Sequence, residues 1–143
     1  MWRLRRRPLA LVALVLLLVP GCREADATLT EFMRVGFRSP GVRHAELGTP
    51  AAQELYRVLE SMGDTNLDRA RAALDVVPAA GQRGFAFVLT GCTEDTAVLT
   101  VEGGTLTADA TGGDGSDCAG ANYFLATFTV DRNRVPPSPV LKP

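Results

Sequence analysis

Two periodicities divide the chain. From Thr49 to Leu74 apolar residues recur at helical spacing, and from Phe85 onward they alternate with period two. The clearest segment opens at Thr49-Pro50, where Thr49 suits a helix cap and Pro50 the first helical position. Leu55, Val58, Leu59 and Met62 then form one stripe at i, i+3, i+4 and i+7, with Glu54, Arg57 and Glu60 opposite and Gly63 as a stop. A shorter helix is predicted over 66–74, with Leu67, Ala70, Ala73 and Leu74 inward and Pro78 beyond its end. Leu29, Phe32 and Met33 suggest a short helix from Thr28 to Val35, although Val35-Gly36-Phe37 could equally be extended. Arg38 to Gly48, with Pro40, Gly41 and Gly48, reads as loop.

In the second half, Phe85, Phe87 and Leu89 alternate in a first strand, Ala97, Leu99 and Val101 in a second, and Leu106 and Ala108 in a third. Gly103-Gly104 separates the second and third strands by two residues, a hairpin signal. Pairing around that turn sets Val101 opposite Leu106 and Leu99 opposite Ala108, so the apolar sides agree. A Gly/Asp-rich loop follows from Asp109 to Ala121. The last strand, Tyr123 to Val130, places Phe124, Ala126, Phe128 and Val130 on one face and Tyr123, Leu125, Thr127 and Thr129 on the other. Helices first and strands second predict an α+β domain, its N-terminal helices packed on one face of a four-stranded antiparallel sheet. Tyr123 and Leu125, with Val88 and Val98 on the matching side of neighbouring strands, are then a candidate ligand face wherever helices leave that side open. Val135-Pro136-Pro137-Ser138-Pro139 cannot enter a sheet interior and reads as an extended, solvated tail over 135–143.

Residues 1–22, MWRLRRRPLALVALVLLLVPGC, join a basic start to an unbroken apolar run from Leu9 to Val19. Eleven helical residues rise about 16 Å, half of the ~30 Å hydrocarbon core, so the run has the length of a signal peptide and not of a membrane span. The cleavage region resembles the lipobox of bacterial lipoproteins: Val19, Gly21 and Cys22 stand at its −3, −1 and +1 positions, with Leu18 before them and an unusual Pro20 at −2. The resemblance covers only these 22 residues. It implies removal of residues 1–21, a diacylglycerol on the sulfur of Cys22, and a protein held on the extracytoplasmic side of the cell membrane. Two acyl chains suffice for stable anchoring. Residues 22–27 would be the lipidated Cys and a short tether; five residues reach at most roughly 18 Å. The folded part, a single domain over 28–134, would sit close to the headgroups. Fourteen arginines against one lysine suggest a GC-rich genome, and with the lipobox the chain resembles the small, uncharacterised lipoproteins of actinobacteria.

With Cys22 taken by lipid, Cys92 and Cys118 remain, and export places them in an oxidising compartment where they are expected to pair. The closed loop of about 27 residues is worth on the order of 3–4 kcal/mol in the chain-entropy model. No C-x-x-C spacing supports a redox or metal pair. Four of the 15 basic residues fall in the signal, so the mature chain holds eleven against sixteen acids, a net charge of −5. That sign argues against nucleic-acid binding, and no cofactor motif is present.

One histidine, His44, in a Pro/Gly loop, is all that Ser-His-Asp or Cys-His catalysis could use, and no G-x-S-x-G occurs. Gly112 to Gly120 fits the calcium nonapeptide G-G-x-G-x-D-x-U-x once, but such sites share ligands between stacked repeats. Asp109, Asp114, Asp117, Glu94 and Asp95 could gather around a calcium ion only if the bridge joins their loops; solvated loop acids are the simpler reading, and no metal is expected. The sequence therefore points to a non-catalytic binding or interaction role at the cell envelope, its partner an envelope protein or small ligand. The competing expectation is a small envelope hydrolase using two carboxylates, and a third is an inhibitor presenting the 109–117 loop.

Overall fold

A computed structural model describes residues 27–63 and 66–143. The expected signal peptide, Cys22 and the tether up to residue 26 lie outside them. In chain order the elements are β1 (Ala27–Gly36), β2 (His44–Glu46), α1 (Pro50–Ser61), α2 (Leu67–Leu74), β3 (Gln82–Gly91), β4 (Thr96–Glu102), β5 (Thr105–Thr111), β6 (Asn122–Asp131), a 3-10 turn (Arg132–Arg134) and β7 (Val140–Lys142). The protein is α+β, with two helices, a four-stranded sheet ordered β1-β6-β3-β2, a three-stranded sheet ordered β4-β5-β7, and a Cys92–Cys118 disulfide.

Thr28 to Val35 is a strand and not a helix, and a bulge explains the misleading spacing. The register runs Leu29 opposite Phe128 and then Glu31 opposite Thr127, so Thr30 is the extra residue. That insertion brings Leu29 and Phe32 onto one face of β1, three apart as in a helix, while Met33 and Val35 join the core on the other side. The Thr30 hydroxyl donates to the Thr127 carbonyl at 3.0 Å and lies 2.7 Å from the Thr127 hydroxyl, which gives the buried Thr127 side chain a partner.

Both helices use the expected apolar stripes: Ala52, Leu55 and Leu59 are buried in α1, and Ala70, Ala73 and Leu74 in α2. The Thr49 side chain does not cap α1 in the expected way. The Thr49 hydroxyl donates back to the Glu46 carbonyl at 2.7 Å, and Asn66 Nδ2 reaches across to the Arg34 carbonyl at 2.8 Å, fastening the start of α2 to β1. Gly63 ends α1 with φ +73°, a conformation glycine adopts without a Cβ penalty.

The four strands foreseen as one sheet are divided between two. β3 and β6 pair directly along ten residues, with Phe85 opposite Phe128. β4 and β5 pair with each other in the register read from the sequence, Val101 opposite Leu106 and Leu99 opposite Ala108, but their hairpin folds over onto the aromatic face of the first sheet. The reason is the apolar content of the central strands. Phe85 to Leu89 is buried at every position, so neither face can be left to water. Phe85, Phe87, Leu89 and Phe128 pack against Ala97, Leu106 and Ala108 of the hairpin. Ala86, Val88 and Leu125 pack against Leu55, Leu59 and Leu74 of the helices.

The proline-rich tail also differs from expectation. Val135 is buried, Arg83 Nη1 donates to the Pro136 carbonyl at 2.6 Å, and β7 adds to β5 in parallel, with Val140 N–H donating to the Gly104 carbonyl at 3.0 Å. Pro136, Pro137 and Pro139 precede the paired residues and Pro143 follows them, so none removes a ladder donor.

Candidate functional site

The ligand face expected from Tyr123, Leu125, Val88 and Val98 does not exist as one surface. Val88 and Leu125 are fully buried beneath the two helices, and Tyr123 packs partly against the same cluster. Val98 belongs to the second sheet, where it is 49% exposed. The signal that could have revealed this is the unbroken apolar run of the central strands, which demands cover on both sides.

The disulfide joins the strand ends as expected: Cys92 follows β3, Cys118 precedes β6, and Gly91 pairs with Asn122 beside them, with Cα atoms of the two cysteines 5.6 Å apart. Three acids near it are engaged by backbone amides. The Cys92 N–H donates to Glu94 Oε2, Gly113 N–H to Asp95 Oδ1 at 3.1 Å, and Ser116 N–H to Asp114 Oδ1 at 2.9 Å. The Cys92 amide holds the Glu94 carboxyl below its usual range, and the Ser116 side chain, with its amide, does the same for Asp114. Asn122 Nδ2 donates to the Cys92 carbonyl at 2.6 Å. Cys92 Sγ touches the Ser116 carbonyl at 3.2 Å, a contact only, since a bridged sulfur carries no hydrogen. Among the described residues no group of three or more His, Cys, Asp and Glu converges on a metal position. His44 lies on β2 with its side chain exposed.

Among the described residues, two concave surfaces are lined by polar side chains. One, of about 320 Å³, opens between the helices and is lined by Gln53, Tyr56, Arg57, Glu60, Arg71 and Asp75. Arg71 lies over the Tyr56 ring at 5.2 Å, and Arg57 pairs with Glu54 at 3.1 Å. The other, of about 270 Å³, lies between β3 and β5 and contains Arg43 and Asp109. Arg43 is fixed by bonds of 3.0 and 3.1 Å to the Val88 carbonyl and 2.9 Å to the Thr90 hydroxyl.

A third feature is convex. Phe37, just beyond β1, is 70% exposed, and the Arg34 guanidinium stands 5.0 Å over its ring. From Phe32 to Ala45 the chain carries Arg34, Arg38, Arg43 and His44 and no acid, within a domain that is acidic overall. The sequence alone suggests a short helix up to Val35 and a loop from Arg38 to Gly48; the unbroken positive sign of the segment was the available clue. β1 also fixes its position. Ala27 stands at one end of the strand and Phe37 beyond the other, and the ten-residue length of β1 sets them about 30 Å apart. The aromatic tip is thus as far from the start of the folded domain as the sheet allows.

No family model, curated protein or solved structure matches the chain.

Proposed function

We propose that this protein is a lipid-anchored, extracytoplasmic binding module that holds the Phe37 tip away from the membrane. The reading joins the lipobox resemblance at Cys22 to one observation: β1 begins where the tether would attach and ends at an exposed aromatic ring stacked by an arginine. Aromatic and arginine side chains are the residue types that dominate binding energy at interfaces. The acid-free segment around them favours a partner bearing carboxylate or phosphate groups beside apolar surface. A binding role is supported over hydrolysis by the use of Glu94, Asp95 and Asp114, whose carboxylates hold loop amides in place.

Photo-crosslinking from the anchored protein tests this. A crosslinker at Phe37 should give a discrete adduct and one at Val98 should not; Arg34→Ser with Arg38→Ser should lower the adduct several-fold. Equal yields from positions 37 and 98 would retire the tip as a binding surface. The anchor is tested separately: radiolabelled palmitate should label the wild type and not Cys22→Ser, and persistent labelling of that variant would remove the lipobox assignment.

A further inference from the structure

The opposite end of the molecule carries a feature the binding reading does not use. Between Asp75 and Arg83 the chain runs Val76-Val77-Pro78-Ala79-Ala80-Gly81-Gln82, with no charge. Val76 is 43% and Val77 84% exposed, and Ala79 and Ala80 are exposed beside them. Single exposed apolar residues are ordinary. A whole connection of them, without one charged side chain, is a different matter.

Its position is fixed by the sheet. Ala27 pairs with Val130, and Val130 pairs with Arg83, so the start of β1 and the start of β3 share one row, two strand spacings or about 10 Å apart. Pro78 packs beside Gly84 in the next row, and Arg132 N–H donates to the Gly81 carbonyl at 2.8 Å. The uncharged connection therefore sits at the end where the tether would enter. Three acids at this end have partners: Asp131 accepts from the Asn133 amide at 2.8 Å, Asp75 lies 3.9 Å from Arg71, and Glu46 is held by Arg83 at 2.7 Å. Arg132 and Arg134 are exposed on the turn alongside.

We propose that the 76–81 connection is a membrane-contact loop, resting on the headgroups and holding β1 away from the bilayer. The proposal rests on the anchor reading and names a lipid surface as the occupant, because only four residues lie between Cys22 and Ala27, and the five steps from one to the other reach at most roughly 18 Å. Anchoring supplies the affinity, since a short tether keeps the loop at high effective concentration beside the surface. The loop has only to set orientation. A few buried apolar side chains suffice for that, helped about fivefold by each arginine that nears an anionic leaflet.

The mature chain contains no tryptophan, Trp2 being in the expected signal, so one introduced residue reports without background. Val77→Trp and Val98→Trp proteins, each shown by mass to carry lipid on Cys22, are placed in phosphatidylethanolamine–phosphatidylglycerol vesicles whose acyl chains are brominated. Val77→Trp should lose emission at least about twofold, because interfacial apolar groups sit roughly 5–10 Å into the headgroup–acyl boundary, and Val98→Trp should be unaffected. Equal quenching at both positions, or none at either, overturns the proposal while leaving the anchor intact. A Val77→Trp blue shift that grows with protein density without quenching also overturns it, in favour of contact with a second copy. Absence of lipid on Cys22 removes the anchor reading, and this inference with it.

Discussion

The two ends of the sandwich are closed by different chemistry. At the base, Arg83 bridges the layers: its guanidinium meets both carboxylate oxygens of Glu46 at 2.7 and 2.8 Å, donates to the carbonyls of Pro136 and Pro137, and lies 5.2 Å over the Phe85 ring. Only 10% of its side chain is exposed. The tip is fastened otherwise. The long 112–121 connection contributes nothing to either apolar cluster, and a covalent bridge with carboxylate–amide bonds holds it instead. The lesson is that an end with core side chains to lean on can be fastened by one well-surrounded ion pair. A polar Gly/Asp loop has no burial to offset its ordering entropy and needs a cross-link.

The largest effect should come from the tip. Replacing both Cys92 and Cys118 by Ser should cost on the order of 3–4 kcal/mol, read from denaturant midpoints. Proteolytic nicking should appear first within 112–121 and not at the base. If both ends loosen together, the bridge supports the whole sandwich and the two ends are not fastened independently.

Next in size is the base. Arg83→Met keeps much of the packing but leaves Glu46, 31% exposed, without its partner, at a cost of about 2–3 kcal/mol. Adding Glu46→Gln should restore a good part of it, since an unpaired, partly buried carboxylate makes up most of such a penalty. If the double variant is no better than the single one, the carbonyl bonds to Pro136 and Pro137 carry the effect, and the tail matters more than the ion pair.

The tip was the more legible end in the sequence and the base the less. Three cysteines, one of them expected to carry lipid, leave one pair, and their positions beside two strands gave the bridge. Gly103-Gly104 lies at the base and still gave the hairpin and its register, because local turn chemistry determines them. Arg83 was invisible because its partners, Glu46 and two proline carbonyls, lie 37 to 54 residues away and no short pattern connects them. β1 was misread because a bulge at Thr30 imitates helical spacing, and β2 and β7, at three residues each, are too short to show a period. The candidate tip was missed for another reason. Phe37 is marked by exposure, and exposure is a property of the folded chain.

A smaller effect should follow from Gly113→Ala. Gly113 has φ +80°, and a Cβ there would meet the carbonyl of Thr93, so the side chain is excluded by both conformation and space. The Gly113 amide also donates to Asp95, which joins the loop to the β3–β4 connection. A cost of about 1–2 kcal/mol is expected, with the intact bridge limiting the damage to the tip. Amide exchange should quicken around Asp95 and Ser116 while the Val140 amide, at the base, keeps its protection.

The smallest contrast is in pH. Glu94 and Asp114 are both held below the usual carboxylate range by the groups that donate to them. A carboxyl that binds its proton less tightly in the folded state than in the unfolded one stabilises the fold above its unfolded value. That contribution is lost as the pH falls through the lowered folded value. Both groups are exposed, so the loss is slight and local, and it begins only below about pH 4. At the base, Arg83 is pushed upward by Glu46 and stays charged throughout this range. Acid titration followed by amide chemical shifts should therefore move Cys92 and Ser116 before Val140 or Leu47. Glu94→Gln should abolish the Cys92 part of that response and leave the Ser116 part. If Cys92 still moves in that variant, the carboxylate is not what holds its amide, and the bridge alone orders the corner.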